Sequence, residues 1–171
     1  TGADSTAVGK DALTAQTTGG HNTAIGLASL DALTTGEQNV AVGNFSLSAL
    51  TTASFNTAVG NNSLDANTTG TDNVGIGKDA LGANTTGGYN TAVGHSALGA
   101  NTTANHNAAF GRYSLKLNTT GTQNAGFGQG TLTANTTASD NTAVGYHAME
   151  SNTTGDKNVA VGSLALDANT T

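Results

Sequence analysis

Residues 90–103 read NTAVGHSALGANTT, and residues 141–154 read NTAVGYHAMESNTT. Both carry N-T-A-V-G, a large apolar residue four places after the glycine, and a closing N-T-T. They begin 51 residues apart, three steps of a 17-residue period. The glycine that closes each N-T-A-V-G unit recurs at Gly9, Gly26, Gly43, Gly60, Gly77, Gly94, Gly111, Gly128, Gly145 and Gly162, with no insertion or deletion.

Other columns keep the same step. Four residues after each glycine stands Leu, from Leu13 to Leu166, with Met149 as the one volume-matched exception. The residue before each glycine is Val, Ile or Phe, and the one before that is only Ala or Gly. A Thr-Thr pair recurs from Thr17-Thr18 to Thr170-Thr171, and an Asn opens each unit from Asn22 to Asn158, with Ser5 in the first copy. A period this strict means that each repeat is one layer of a stack, with like residues lying on like. Helical-pair repeats need about 33 residues or more, so length excludes them. Seventeen residues suit one coil of an all-β parallel β-solenoid, or β-roll. Ten such coils rising about 4.8 Å each span about 48 Å. Residues 1–171 read as one repeat array, an excerpt of a longer fibre, without separate domains.

The composition fits a stacked array better than a globule. Aromatic residues make up 4% and charged residues 9%, and proline, cysteine and tryptophan are absent. Few large apolar side chains are available for a compact core, and charge is too sparse for a typical disordered chain. A net charge of −6 argues against nucleic acid, since no basic stripe is present to neutralise phosphates. No apolar run is long enough to cross a bilayer.

Within a coil, N-T-A-V-G reads as a short strand with Thr91 and Val93 on one face and Asn90 and Ala92 on the other. The glycine marks a turn. The following stretch (HSALGAN, KDALTAQ) reads as a tight bend or a helical turn with its Leu inward. The Thr-Thr pair is a candidate second strand. The strand is apolar on both faces, so both need cover. The coil interior covers one. The other is expected to meet a second chain, with the Ala/Gly column permitting close backbone approach. This predicts a homo-oligomer of parallel solenoids, three chains side by side or a filament.

Catalysis needs unlike groups converging on one place, whereas a strict repeat spreads like groups along an axis. No catalytic residue, metal site or cofactor is expected. His21 and His106 share a column but lie five coils apart, about 24 Å; His95 and His147 lie elsewhere. Asp31, Asp65, Glu150 and Asp167 share a column that reads as a solvated acidic edge. Asn67, Asn84, Asn101, Asn118, Asn135, Asn152 and Asn169 each open an N-x-T sequon, and Asn44 and Asn61 open N-x-S. The N-T-T asparagines are either glycosylation sites or an Asn ladder that satisfies turn hydrogen bonds. The variable column holding Lys10, Leu27, Asn44, His95, Arg112 and Tyr146 is where a partner would read identity, yet it gathers no hot-spot cluster of Trp, Tyr and Arg.

The units NTAIG at 22–26, NVAVG at 39–43 and NVGIG at 73–77 resemble the repeats of trimeric autotransporter adhesin heads and of phage tail-fibre-type arrays. The resemblance covers every repeat. It implies a left-handed β-roll, three chains together, and a place at a cell surface or virion appendage. The expected function is therefore a structural or adhesive extracellular fibre segment, a stiff shaft whose partner is itself. The alternative is a surface-binding module: an adhesin head for a host surface or glycan, or an ice-binding solenoid. Membrane insertion and an enzymatic role are not expected.

Overall fold

The computed structural model describes residues 4–171. Ten three-residue strands form one parallel sheet in sequence order. They are β1 (Thr6–Val8), β2 (Thr23–Ile25), β3 (Val40–Val42), β4 (Thr57–Val59), β5 (Val74–Ile76), β6 (Thr91–Val93), β7 (Ala108–Phe110), β8 (Ala125–Phe127), β9 (Thr142–Val144) and β10 (Val159–Val161). Each strand pairs with its equivalent one repeat away: Thr91 faces Ala108, Ala92 faces Ala109 and Val93 faces Phe110. The fold is a β-solenoid with 17-residue spacing, and the described residues contain no helix.

Every strand ends at a ladder glycine with φ between +129° and +138°. A Cβ on Gly94 would lie 2.6 Å from the backbone of Gly111 in the next coil. Glycine is required there on both counts, by dihedral and by space.

The segment after the glycine is neither strand nor helical turn. It is a run of overlapping turns, in which Ala80 N–H bonds Gly77 O, Gly82 N–H bonds Asp79 O and Asn84 N–H bonds Leu81 O. The second and fourth residues past the glycine are left-handed, as at Ser96 (φ 53°) and Leu98 (φ 50°). Side chains other than glycine resist this conformation. Here the stack holds it: Leu98 N–H donates to Ser114 O at 3.0 Å and Ser96 N–H to Lys78 O at 2.9 Å.

The Thr-Thr pair forms no second strand. Both amides of a pair turn to one carbonyl of the next coil, as Thr85 and Thr86 do to Thr102 O. The first hydroxyl joins them, Thr85 Oγ1 donating to the same oxygen at 3.1 Å. The second Thr points to solvent, so Thr35, Thr52, Thr69 and their equivalents form a single exposed rank.

The interior is thin and mixed. The Leu column, Leu30 to Leu132 with Met149, is fully buried. Against it lies the central residue of strands β2 to β10, the Ala/Gly column, also buried. A Cβ on Gly75 would meet the Leu64 side chain at 3.2 Å, which shows how closely the two columns pack. The expected assignment of strand faces is therefore reversed. The small column faces inward because Leu fills the space over it, while the Val/Ile/Phe column faces out.

Two Asn columns complete the core. In one, Asn107 N–H donates to Asn90 Oδ1 (3.0 Å), Asn90 Nδ2 to Asn73 Oδ1 (3.2 Å), and Asn90 Nδ2 also to Ala104 O (2.8 Å). In the other, the N-T-T asparagines from Asn84 upward link Nδ2 to Oδ1 of the preceding coil, at 2.9 Å between Asn101 and Asn84. Leu33 and Leu50 occupy this second column in earlier coils and join the apolar core.

Candidate functional site

The outward sheet face runs along all ten strands. Val8, Ile25, Ile76, Phe110, Phe127, Val144 and Val161 are all exposed along it, and Val42, Val59 and Val93 are half-buried in the same line. Nine steps of about 4.8 Å make the stripe about 43 Å long. Phe110 and Phe127 stack with ring centroids 5.0 Å apart and planes within 6°. Most of the flanking Thr, Val and Ala side chains two residues earlier are half-buried. The stripe carries no charge, and a contiguous apolar line of this kind marks an interaction surface.

The edge formed by the turns holds a second feature, which sequence reasoning missed. The Tyr113 ring has the Arg112 guanidinium 4.2 Å and the Lys116 ammonium 4.6 Å from its centroid. His95 lies 5.3 Å away in the coil below. These residues sit in three different columns, with Tyr113 at a left-handed position of the turn. Column spacing brings His95 beside Arg112 but says nothing of where the Tyr113 ring and the Lys116 stem lie.

The histidines are dispersed. His106 stacks on Tyr89 with centroids 5.1 Å apart, His95 Nε2 lies 3.8 Å from Asp79, and His147 Nδ1 lies 2.5 Å from Glu150 Oε2. His21 is exposed in the same column as His106. In the acidic column, Glu150 is engaged by His147, and burial pushes the Asp65 carboxyl above its ordinary value. The negative charge of Asp79 adds to that rise, while the amides of Asp65 and Ala66 oppose it. Among the described residues, no three His, Cys, Asp or Glu side chains gather in a metal-binding arrangement.

The N-T-T sequons do not present their asparagines. Asn67, Asn84, Asn101, Asn118, Asn135 and Asn152 are fully buried. Their Nδ2 groups are occupied, Asn118 donating to Asn101 Oδ1 at 3.1 Å and to Gly121 O at 2.9 Å. A glycan on Nδ2 would take the place of one of the two donated hydrogens and needs space that the core lacks, so these six positions act as ladder rungs. Asn169, in the last coil, is half-buried and bonds Asn152 Oδ1 at 3.4 Å. Asn44 and Asn61 are exposed.

Comparison of the chain with protein-family models, with curated proteins and with solved structures returned no match.

Proposed function

We propose that the chain is a stiff shaft segment of an extracellular fibre, at a cell surface or virion appendage, that associates laterally with copies of itself. Three parallel solenoids turn their Val/Ile/Phe stripes toward a common axis. The observation that carries this reading is the uncharged stripe itself, aligned with the stack from Val8 to Val161. A parallel sheet is ordinarily covered on both faces, and only a partner with the same repeat matches the stripe in every layer. The resemblance of the N-T-A-V-G units to trimeric adhesin heads and tail-fibre arrays supports both the number of chains and the location.

Sedimentation equilibrium tests the assembly. The expected mass is about 50 kDa, three times the 16.7 kDa chain. The double variant Val59→Lys/Val93→Lys places two charges on the stripe without entering the core and is expected to sediment as a monomer. A native chain that is monodisperse at 16.7 kDa would overturn the reading.

A surface-binding module is the second reading, and the Tyr113 cluster favours it. Arg and Lys over an aromatic face form an anchor of the type that dominates binding surfaces. Retention of the chain on a glycan or cell-surface array, lost in Tyr113→Ala, would support it. Equal retention of the variant would remove it.

A further inference from the structure

The repeat breaks at one place where the fold does not require it. The column five residues past each ladder glycine carries a side chain in every coil except two consecutive ones, Gly82 and Gly99. Neither glycine has the positive φ of the ladder glycines, and no turn demands them. A Cβ on Gly82 would meet nothing closer than 3.4 Å, where both Asp65 Oδ1 and Asp79 O lie, and one on Gly99 would lie 3.2 Å from Ser96 O. The two missing side chains open a notch of about 500 Å³ in the edge of the solenoid, within the size range of small-molecule sites. Asp65 stands at one end and Leu117 at the other, the only residue larger than serine in a column otherwise of Ala and Ser. Ala83 and Ala100 form the floor between them.

The charges around the notch are unequally satisfied. Asp79 faces Lys78 at 3.3 Å and His95 at 3.8 Å. Lys116 lines the notch, but its ammonium lies over Tyr113. Asp65 has no cationic side chain within 4.0 Å among the described residues, and it is partly withdrawn from water. A carboxylate at the mouth of an apolar slot favours a ligand that brings a positive charge and an apolar stem together. We propose that the Gly82–Gly99 notch binds a small organic cation, an ammonium group seated against Asp65 with an alkyl stem running over Ala83 and Ala100 to Leu117. The reading is independent of lateral association, because the notch lies on the turn edge and the stripe lies on the sheet.

Amide chemical-shift titration of the full chain tests it, with n-hexylammonium as probe and n-hexanol and hexanoate as controls. Saturable shifts centred on Asp65, Gly82, Gly99 and Leu117 are expected with hexylammonium. Hexanol is expected to bind about tenfold more weakly, the equivalent of about 1.4 kcal/mol, and hexanoate not at all. The variant Gly82→Ser/Gly99→Thr fills the notch with the residues this column uses at Ser48 and Thr133, so the coil is retained and binding is lost. Asp65→Asn makes hexylammonium and hexanol equivalent. The proposal is overturned by an absence of saturable shifts, by hexanoate binding as tightly as hexylammonium, or by unchanged binding in the filled variant with its remote amides unmoved.

Discussion

Asn90 offers the sharpest test of what holds the layers together. Its side chain is fully buried, and three hydrogen bonds depend on it. Nδ2 donates to Asn73 Oδ1 and to Ala104 O, and Oδ1 accepts from the Asn107 amide. In Asn90→Ala the first two acceptors each keep another donor, the Asn90 amide for Asn73 Oδ1 and Asn101 Nδ2 for Ala104 O. Those two losses cost about 1 kcal/mol each. The third strands the Asn107 amide in a buried position, which costs about 1–3 kcal/mol. The expected destabilisation is about 3–5 kcal/mol, read from urea unfolding, with faster exchange of the Asn107 amide hydrogen. Asn90→Asp is expected to cost more than Ala, because it turns an unprotonated oxygen toward Asn73 Oδ1 and Ala104 O and buries a charge. A loss below about 1 kcal/mol in Asn90→Ala, with Asn107 still protected, would refute the claim that the Asn rungs carry the stack.

Other substitutions separate the roles of neighbouring positions. Gly94→Ala, at φ +135° and 2.6 Å from the next coil, is expected to cost about 3 kcal/mol or more, whereas Gly82→Ala in the notch costs under about 1 kcal/mol; paired urea unfolding curves check the contrast. Leu98→Ala removes a fully buried side chain from a core one Leu thick and is expected to cost about 2–5 kcal/mol in the same measurement. Asp65→Asn tests the half-buried carboxylate through pH. Because the folded pKa of Asp65 lies above the ordinary 3.8, the folded chain holds this proton more tightly than the unfolded one. Ionisation therefore lowers stability as pH rises from 3.8 through the folded value. The Asn variant should match the native chain in thermal unfolding at low pH and exceed it at neutral pH. Equal stability of the two at both pH values would contradict that assignment.

The stacking was legible because it needs only arithmetic. A fixed step of 17 puts Ala92 beside Ala109 and Val93 beside Phe110 whatever path the coil takes between strands, and the structure has that register. The path itself was not legible. Left-handed turns are ordinarily announced by Gly, Asn or Asp, and here Leu98, Leu115 and Tyr113 adopt them because inter-coil bonds hold the backbone there. The strand faces were misread for a related reason. Ala92 and Val93 are both apolar, so polarity cannot say which lies inside, and the answer depends on Leu81 and Leu98 already occupying the interior. The N-T-T asparagines left two readings open, glycan acceptors by their sequon or an Asn ladder; stacked at 2.9–3.1 Å, as Asn84, Asn101 and Asn118 are, each satisfies the next. The Tyr113 cluster draws on three columns at once, while the paired glycines of the notch, Gly82 and Gly99, show in the sequence as a gap in one column but become a cavity only once the path of the coil is known.

Electron cryomicroscopy of the assembled rods tests the central claim most directly, since one map gives both the layer spacing and the surroundings of the stripe. The expected map shows layers about 4.8 Å apart, with three chains per rod and the Phe110 and Phe127 rings enclosed at their shared axis. Single-chain rods with the stripe open to solvent would contradict lateral association, and a map without that layer spacing would contradict the solenoid itself.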